Sequence, residues 1–588
     1  MINSKILSKL WDLIPASQKK RTPLLMVLIF CGMLFEVFGL GALFPIVIGL
    51  LDVDEIREFI AQHLDFLVPY VQSFSDAMFI YVGLGCLIVL YILKSAFLVY
   101  LSYFQNDYLT KVSRDNSNRL YAGYLNQTYA YFIKKNTSNI IKLFQVELNY
   151  LLSYLSALSF VLTEMSVSVA IVLTLLVIEP LGALMVAVFF GVMSLLFYST
   201  FKTRLASYGN QREKYDGNIS KNILESFQAI KEIKINQRGH YFKSIHQENN
   251  LQRARITRNQ LIVGQLPRLF LEVIAVTGLT IFIVVLLMQG FETKKLISIL
   301  TVFVAASFRM IPSLNRVLNG VQSMRFLQAS IDTLHKEFTS FNSTIVPEKT
   351  THEKNQVIKK NIQFKDLSFA YTNKKTNVLK GLNLNIAVGS SIGIIGGSGE
   401  GKTTLLDVLI GLLEPTEGSL LIDDLEITHY NRIQWQKNIG YVAQMINLVD
   451  NSIKRNIAFG IPENEINHEK LNRCIEKAQL KTFIASLEDG VETVVGERGI
   501  QLSGGQRQRI GIARALYHDP EVLVFDEATS ALDEDTEEQF MSAIERFKGE
   551  KTIIIVTHRL STLRFCDRVY DLKNGKLSPH KTLTNELH

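Results

Sequence analysis

Six apolar stretches dominate the first half of this 588-residue chain: Leu24 to Leu51, Ala77 to Tyr103, Tyr154 to Ile178, Leu181 to Phe201, Leu261 to Gln289, and Leu296 to about Leu318. Each meets or approaches the roughly 20 residues that a helix needs to cross a bilayer. Backbone polar groups in lipid have to be satisfied internally, so this half is constrained to a bundle of spanning helices. The connections alternate in character. Asp52 to Asp76 carries Asp54, Glu55, Glu58 and Asp65, and the turns at Glu179-Pro180 and around Gly290 are short, which places all three outside. Gln105 to Asn149 and Lys202 to Gln260 are long and rich in Lys and Arg, among them Lys111, Arg114, Arg119, Lys134, Lys135, Lys202, Arg204, Arg212 and Lys214, which places them in the cytoplasm. Both termini are then inside. The formal net charge of +7 follows from this topology and calls for no nucleic-acid partner.

The start of the chain, through Trp11 and Pro15 to Lys19-Lys20-Arg21, is too polar for a cleaved signal peptide, so the first run reads as a retained anchor. In the external connection Ile56, Phe59, Ile60, His63, Leu64 and Leu67 recur at helical spacing and predict a small amphipathic helix, with a loop as the alternative. Cys31, Cys86, Cys474 and Cys566 are scattered and form no Cys-x-x-Cys pair, which argues against a disulfide framework or zinc site.

Apolar density falls between Glu337 and Asn361, and this stretch reads as a linker between a membrane domain, 1–336, and a second domain, 362–588. Strand-like runs at Ile362 to Leu367, Ser391 to Ile395, Glu521 to Phe525 and Thr552 to Val556 alternate there with helix-like segments. The expected fold is an all-α six-helix transmembrane domain followed by an α/β nucleotide-binding domain, a P-loop cassette if the motifs below are read with it.

The buried run Ser391 to Ile395 leads into Gly396-Gly397-Ser398-Gly399-Glu400-Gly401-Lys402-Thr403, with Thr404 next. Glycines let backbone N–H groups converge on phosphate oxygens, and the following helix adds the positive end of its dipole. Lys402 would reach the β- and γ-phosphates of ATP, and the Thr403 hydroxyl would ligate Mg²⁺. A second apolar strand ends in Asp526 and Glu527. An acidic pair at that place is usually just a favourable charge at a helix start; a lone histidine such as His558 is usually a surface residue, and Tyr371 could be a core aromatic.

The sequence Leu502-Ser503-Gly504-Gly505-Gln506, downstream of the phosphate loop in a chain with six apolar runs, resembles the signature of the ATP-binding cassette family. The resemblance extends over the whole chain and is of the exporter type. It implies that Asp526 holds the Mg²⁺ shell, Glu527 polarises the attacking water, His558 contacts the γ-phosphate, and Gln444, in Tyr441-Val442-Ala443-Gln444, senses the metal and the water. It further implies that Tyr371 stacks on adenine, that Gly396, Gly399, Gly401, Lys402, Thr403 and Thr404 cradle the phosphates, and that Ser530 to Asp533 form the D-loop. Ser503, Gly504, Gly505 and Gln506 would close over ATP held by a different cassette. One copy of each motif gives only two half-sites per chain, so the resemblance implies a homodimer. Short segments near Tyr129 to Phe132 and Glu225 to Phe227 would be coupling helices, and Gly496-Glu497-Arg498-Gly499 the exporter-specific loop that touches them.

The membrane half also carries Glu36, Lys94, Glu164, Arg268, Glu272, Arg309 and Arg316. A charge in lipid costs about 2.5–3.5 kcal/mol on insertion scales and so faces a cavity or a partner. Arg309 and Arg316, seven apart, share a helical face, and Arg268 and Glu272, four apart, are spaced to pair. Lys94, Arg268 and Arg316 fall toward the cytoplasmic side, where snorkelling also accounts for them. Facing inward, Lys94, Arg268, Arg309 and Arg316 would be doubled by a two-fold dimer into a basic cavity suited to pyrophosphate. The segments Gly264 to Glu272 and Phe308 to Arg316 resemble the lipid-linked oligosaccharide flippases of bacterial protein N-glycosylation, although Lys94 stands where these have an arginine. The expected function is ATP-driven movement of a polyprenyl-diphosphate-linked oligosaccharide or similar anionic amphiphile. The alternatives are a peptide or multidrug exporter and, in another class, an ATP-gated channel or regulatory ATPase.

Overall fold

The computed structural model describes residues 4–42, 53, 75–178, 180–288, 293–342, 358–371, 376–429, 431–496, 499–528, 534–559 and 561–580. They divide into two compact units: residues up to Gln127 together with Lys134–Ile345, and Thr128–Ile133 together with the chain from Val346 onward. The expected external helix and D-loop, including Asp533, lie outside the described residues, as do Glu497 and Arg498.

In the first unit a short amphipathic helix, α1 (Ser4–Leu13), precedes six long ones in the order of the apolar stretches. These are α2 (Thr22–Gly41), α3 (Asp76–Leu125), α4 (Leu148–Ile178), α5 (Pro180–Gln228), α6 (Gly239–Met288) and α7 (Thr293–Asn342). Four segments among the described residues are long and apolar enough to cross a membrane, within 16–39, 76–125, 137–174 and 239–278. Helices α3, α6 and α7 have 50 residues each; at 1.5 Å per residue each is about 75 Å long, more than twice the hydrocarbon thickness. The sequence after Phe201 contains no proline until Pro267, so the helix begun in apolar sequence continues through the polar run that follows. For the same reason Glu225 to Phe227 form the last turn of α5 and not a separate helix; the backbone breaks at Ala229, and a distinct short helix occupies Ile230–Ile235.

Packing within this unit is close. Val167, Ile171, Phe190, Leu271 and Met310 form an apolar cluster shared by α4, α5, α6 and α7. At Gly320 an added Cβ would come within 2.4 Å of Val161 Cγ2, so only glycine lets α7 approach α4 there. Outside the apolar stretches ion pairs cross-link the helices: buried Lys142 lies 3.6 Å from Glu213, and Arg253 Nε lies 2.6 Å from buried Asp216. The Arg212 guanidinium stacks 3.9 Å from the Tyr150 ring and donates to Ser330 Oγ at 2.7 Å.

The second unit contains two sheets among the described residues. β1 (Asn361–Phe369), β2 (Leu379–Ala387), β4 (Glu417–Ile422) and β5 (Leu425–Glu426) form an antiparallel sheet, with Phe364 paired to both Leu384 and Leu420. β3 (Ser391–Ile395), β6 (Ile439–Val442), β7 (Val522–Asp526), β8 (Thr552–Val556) and β9 (Arg568–Lys573) form a parallel sheet in the order β9-β3-β8-β7-β6, extended by β10 (Lys576–Pro579). Strands β3, β7 and β8 are buried almost throughout, as parallel strands covered on both faces should be. The helix pair that matters for the site is α8 (Lys402–Leu409), after β3, and α9 (Gly504–Tyr517). A short helix, Tyr129–Lys134, begins at the segment read as the first coupling helix, and Ala130 packs against the core around Phe364 and Leu405.

Candidate nucleotide site

The site lies where β3, β7 and β8 end. Because the three strands are parallel neighbours, Ile394 pairs with Val556 and Asp526 also pairs with Val556, which brings the loops after them to one edge. Ligands of open α/β sheets bind at such an edge. The loop after β3 turns into α8 through Gly401, whose φ of +101° is left-handed and whose Cβ would sit 3.0 Å from Val378 Cγ1. The left-handed φ favours glycine there, and a Cβ would be tight against Val378. Lys402 Nζ donates to the carbonyls of Gly396 and Gly397 at 2.9 and 3.2 Å, folding its side chain back over the loop. Thr404 is buried on α8 and its hydroxyl lies 3.0 Å from Tyr371 Oη. Tyr371 is half-buried, meets Phe369 edge-on at 5.0 Å and packs against the sheet core.

Glu527 is the centre of the polar network. Its φ of +46° is left-handed, a strained state for a non-glycine residue that costs about 1–3 kcal/mol and clusters at functional sites. The strain is held by its own N–H, which donates to Val556 O at 2.8 Å. Its carboxylate accepts from Gln444 Nε2 at 2.7 Å and lies 3.5 Å from Lys402 Nζ and 3.7 Å from His558 Nδ1. Lys402, Gln444, Glu527 and His558, far apart in sequence, therefore converge on one carboxylate. Beside it Asp526 is buried and accepts from Tyr441 Oη at 3.4 Å. Burial, followed by the Glu527 charge, raises the Asp526 carboxyl above its ordinary range, against the opposing effect of Tyr441 and Lys402.

Among the described residues no group of three His, Cys, Asp or Glu side chains is disposed to hold a metal. That fits Mg²⁺, which is held by one or two protein oxygens plus water and phosphate. Thr403, Asp526 and the Gln444 amide offer oxygen donors for such an ion, and a cation there would relieve the repulsion between Asp526 and Glu527.

The signature sequence begins α9. Ser503 is the N-cap: its Oγ accepts from Gln506 N at 3.2 Å, and Gln506 Oε1 accepts from Ser503 N at 2.8 Å. This capping box presents Gly504 and Gly505 as the first helical residues, an N-terminus electrostatically suited to a phosphate.

The ABC transporter family profile matches residues 379–530, which hold the phosphate loop, Gln444, the signature and the Asp526-Glu527 pair. The chain is 27% identical over 479 residues to the ATP-dependent lipid A-core flippase of Ralstonia nicotianae, covering 81% of this chain and 80% of that one. It is 29% identical over 486 residues to the heterocyst differentiation ATP-binding protein HepA of a Nostoc species, covering 81% and 78%. A bacterial Atm1-family ABC exporter solved with ATP bound superposes with a TM-score of 0.73 at 22% identity over 92% of this chain and 95% of that one. The chain is an ABC transporter. Its helical membrane region is fused to an ATP-binding cassette, and its ATPase activity is coupled to transport.

Among the described residues, Lys94, Arg268 and Arg316 of this transporter are paired. Lys94 Nζ, nearly buried, lies 2.8 Å from Glu36 Oε2, joining α3 to α2. Arg316 Nη1 on α7 lies 2.5 Å from Glu164 Oε1 on α4, and Ser313 Oγ donates to Glu164 Oε2 at 2.6 Å. Arg268 Nε lies 3.1 Å from Glu272 on the same helix, both well exposed. Arg309 is on α7, and its side chain is outside the described residues. Sequence spacing anticipated the pair within α6. It did not anticipate the two pairs between helices, since their partners are 58 and 152 residues apart.

Two cassette residues also escaped sequence reasoning. Asp407 sits on the buried face of α8, where burial and then Asp526 push its carboxyl up to about 6. A lone acid in the apolar run Leu405-Leu406-Asp407-Val408-Leu409 was the available signal. Arg514, on α9, donates to Asn447 O at 2.9 Å and, from two other nitrogens, to Asn456 O and Oδ1 at 2.8 and 2.9 Å. It ties the signature helix to the segment that follows Gln444.

Proposed function

We propose that this transporter works as a homodimer in the bacterial inner membrane, cassettes in the cytoplasm, and flips an anionic lipid-linked substrate, of which a polyprenyl-diphosphate oligosaccharide is the chosen example. Within each cassette Gly396, Gly399, Gly401, Lys402, Thr403 and Thr404 hold the phosphates of ATP, and Tyr371 packs at adenine. Glu527 orients and deprotonates the attacking water. Gln444 and His558 line up on the same carboxylate; Thr403, Asp526 and Gln444 would hold Mg²⁺, which would supply positive charge to the phosphates. Ser503, Gly504, Gly505, Gln506 and Asp533 complete the partner's site. Closure of two ATP-loaded cassettes passes through the helix at Tyr129 and the hairpin at Phe227, whose side chain is 70% exposed, and alternating access follows from differential affinity in the two states.

The observation that carries the substrate reading is Arg316, anchored to buried Glu164 yet with a side chain 57% exposed. One edge of its guanidinium is positioned by protein, which leaves the group oriented for a phosphate. The Ralstonia nicotianae relative is named a flippase of lipid A-core. In proteoliposomes, ATPase activity should rise with a polyprenyl-diphosphate saccharide, and Arg309→Ala or Arg316→Ala should lose that rise; equal stimulation by a cationic amphiphile would overturn the reading. Glu527→Gln should bind ATP, dimerise its cassettes tightly and lose hydrolysis by about 10²-fold or more, the usual worth of a general base.

A further inference from the structure

A cavity of about 310 Å³ opens among α1, α4, α5 and α7, at the lower end of the roughly 300–1,000 Å³ usual for small-molecule sites. Its long wall is one face of α7, where Leu314, Val317, Leu318, Val321 and Met324 follow at helical spacing. From Leu314 to Arg325 that wall rises about 16 Å at 1.5 Å per residue. Opposite stand Val161 on α4 and Gly191 on α5. The shaft is apolar along its length.

The chemistry changes at one end. There the Arg325 guanidinium is held by two bonds to Tyr198 Oη, from Nε at 2.8 Å and Nη2 at 2.6 Å, and by Nη1 to Gln328 Oε1 at 3.2 Å. The cavity therefore terminates in an oriented cation with a phenol beside it. One turn from Tyr198, Ser194 also lines the cavity, and its buried Oγ has no hydrogen-bond partner. A buried hydroxyl without a partner is a polar atom that a ligand can satisfy. At Gly191 an added Cβ would meet nothing within 4 Å, so the space beside α5 is open to an occupant.

We infer that this cavity is a binding site for a single alkyl chain bearing an anionic head, the chain along the α7 wall and the head at Arg325, Tyr198 and Ser194. A guanidinium selects phosphate or carboxylate over ammonium, and the apolar shaft selects an alkyl chain over a sugar. The site lies within one protomer and stands independently of what the transporter moves.

The test uses the full-length transporter in nanodiscs without nucleotide. A dodecyl phosphate carrying a diazirine on its chain is photolysed, and labelled peptides are mapped, with dodecanoate and dodecylammonium as competitors. Labelling should be saturable and fall on residues 154–165, 191–198 or 314–328. Dodecyl phosphate and dodecanoate should compete, and their relative strengths identify the preferred head; dodecylammonium should not. Arg325→Gln should weaken the phosphate probe about tenfold, the worth of one charge-assisted hydrogen bond, with recovery in Arg325→Lys. Gly191→Leu, which fills the shaft, should abolish saturable labelling, whereas Gly191→Ala should keep it and shows that α5 tolerates substitution. Non-saturable labelling, effective competition by dodecylammonium, or parental labelling of Gly191→Leu would each overturn the site. A transporter that flips lipid without saturable labelling loses this site and keeps the proposed function.

Discussion

The Glu164–Arg316 pair separates a structural role from a substrate role through three variants: Arg316→Gln, Glu164→Gln and the double replacement. The two side chains differ in exposure, 7% for Glu164 and 57% for Arg316. Removing Arg316 strands a buried carboxylate that, among the described residues, keeps only the bond from Ser313 Oγ to Oε2 at 2.6 Å. Breaking a fully buried pair costs about 3–5 kcal/mol; with one hydroxyl bond retained and the cation half in the open, about 2–3 kcal/mol is expected here. Removing Glu164 instead releases a cation that can reach solvent or a headgroup, at about 0–1 kcal/mol. The double variant should fall near Glu164→Gln, giving a coupling energy of about 2 kcal/mol. At roughly 2 °C per kcal/mol for a unit of this size, Arg316→Gln should unfold about 4–6 °C below the parent in nanodiscs, and the other two within about 2 °C. Lipid-stimulated ATPase gives the second readout. If Arg316 grips the head, stimulation is lost in Arg316→Gln and stays lost in the double variant, even though stability returns. Equal destabilisation by the two single replacements, or additive loss in the double, would refute the burial argument. Restored stimulation in the double variant would refute the substrate role.

Two further predictions concern the cassette. Asp407 has its carboxyl raised from 3.8 to about 6, so the folded state holds a proton more tightly than the unfolded one, and stability falls as pH rises from about 4 to 6 and stays lowered above it. Asp407→Asn should therefore stabilise the nucleotide-free transporter above pH 6, by about 1–2 kcal/mol after screening, and do little near pH 4; thermal scans at both pH values check this, and a larger gain at the acidic value would contradict it. Arg514→Ala removes the bonds to Asn447 and Asn456, and Asn456 is fully buried. About 2–3 kcal/mol of cassette stability should go with them, read by denaturant melts, and transport-coupled ATPase should fall with ATP binding retained.

How much of this was legible beforehand depends on the range of the interaction concerned. The phosphate loop, the capping box at Ser503 and the strands at Ser391–Ile395 and Thr552–Val556 rest on neighbours within a few residues, and their patterns stand in the sequence. The antiparallel sheet was mostly invisible: of its strands only β1 had a recognisable run, because β2, Leu379–Ala387, alternates around Gly381 and two asparagines and β5 is two residues long. The family resemblance implies a coupling helix at Glu225–Phe227, whereas these residues are the last turn of α5 and the backbone breaks only at Ala229. Composition reports solvent, and a helix ends where hydrogen bonding does.

Hydropathy and backbone stereochemistry act locally, so the six apolar stretches, the order of the two units and the identity of the nucleotide motifs are readable from the residues alone. Packing decided which groups distant in sequence meet. Glu527 gathers Lys402, Gln444 and His558, Lys94 finds Glu36, Arg316 finds Glu164, and Arg325 closes a cavity at Tyr198. Coulomb and hydrogen-bond energies depend on separations of a few ångströms, and those separations exist only after helices and strands distant in sequence have packed.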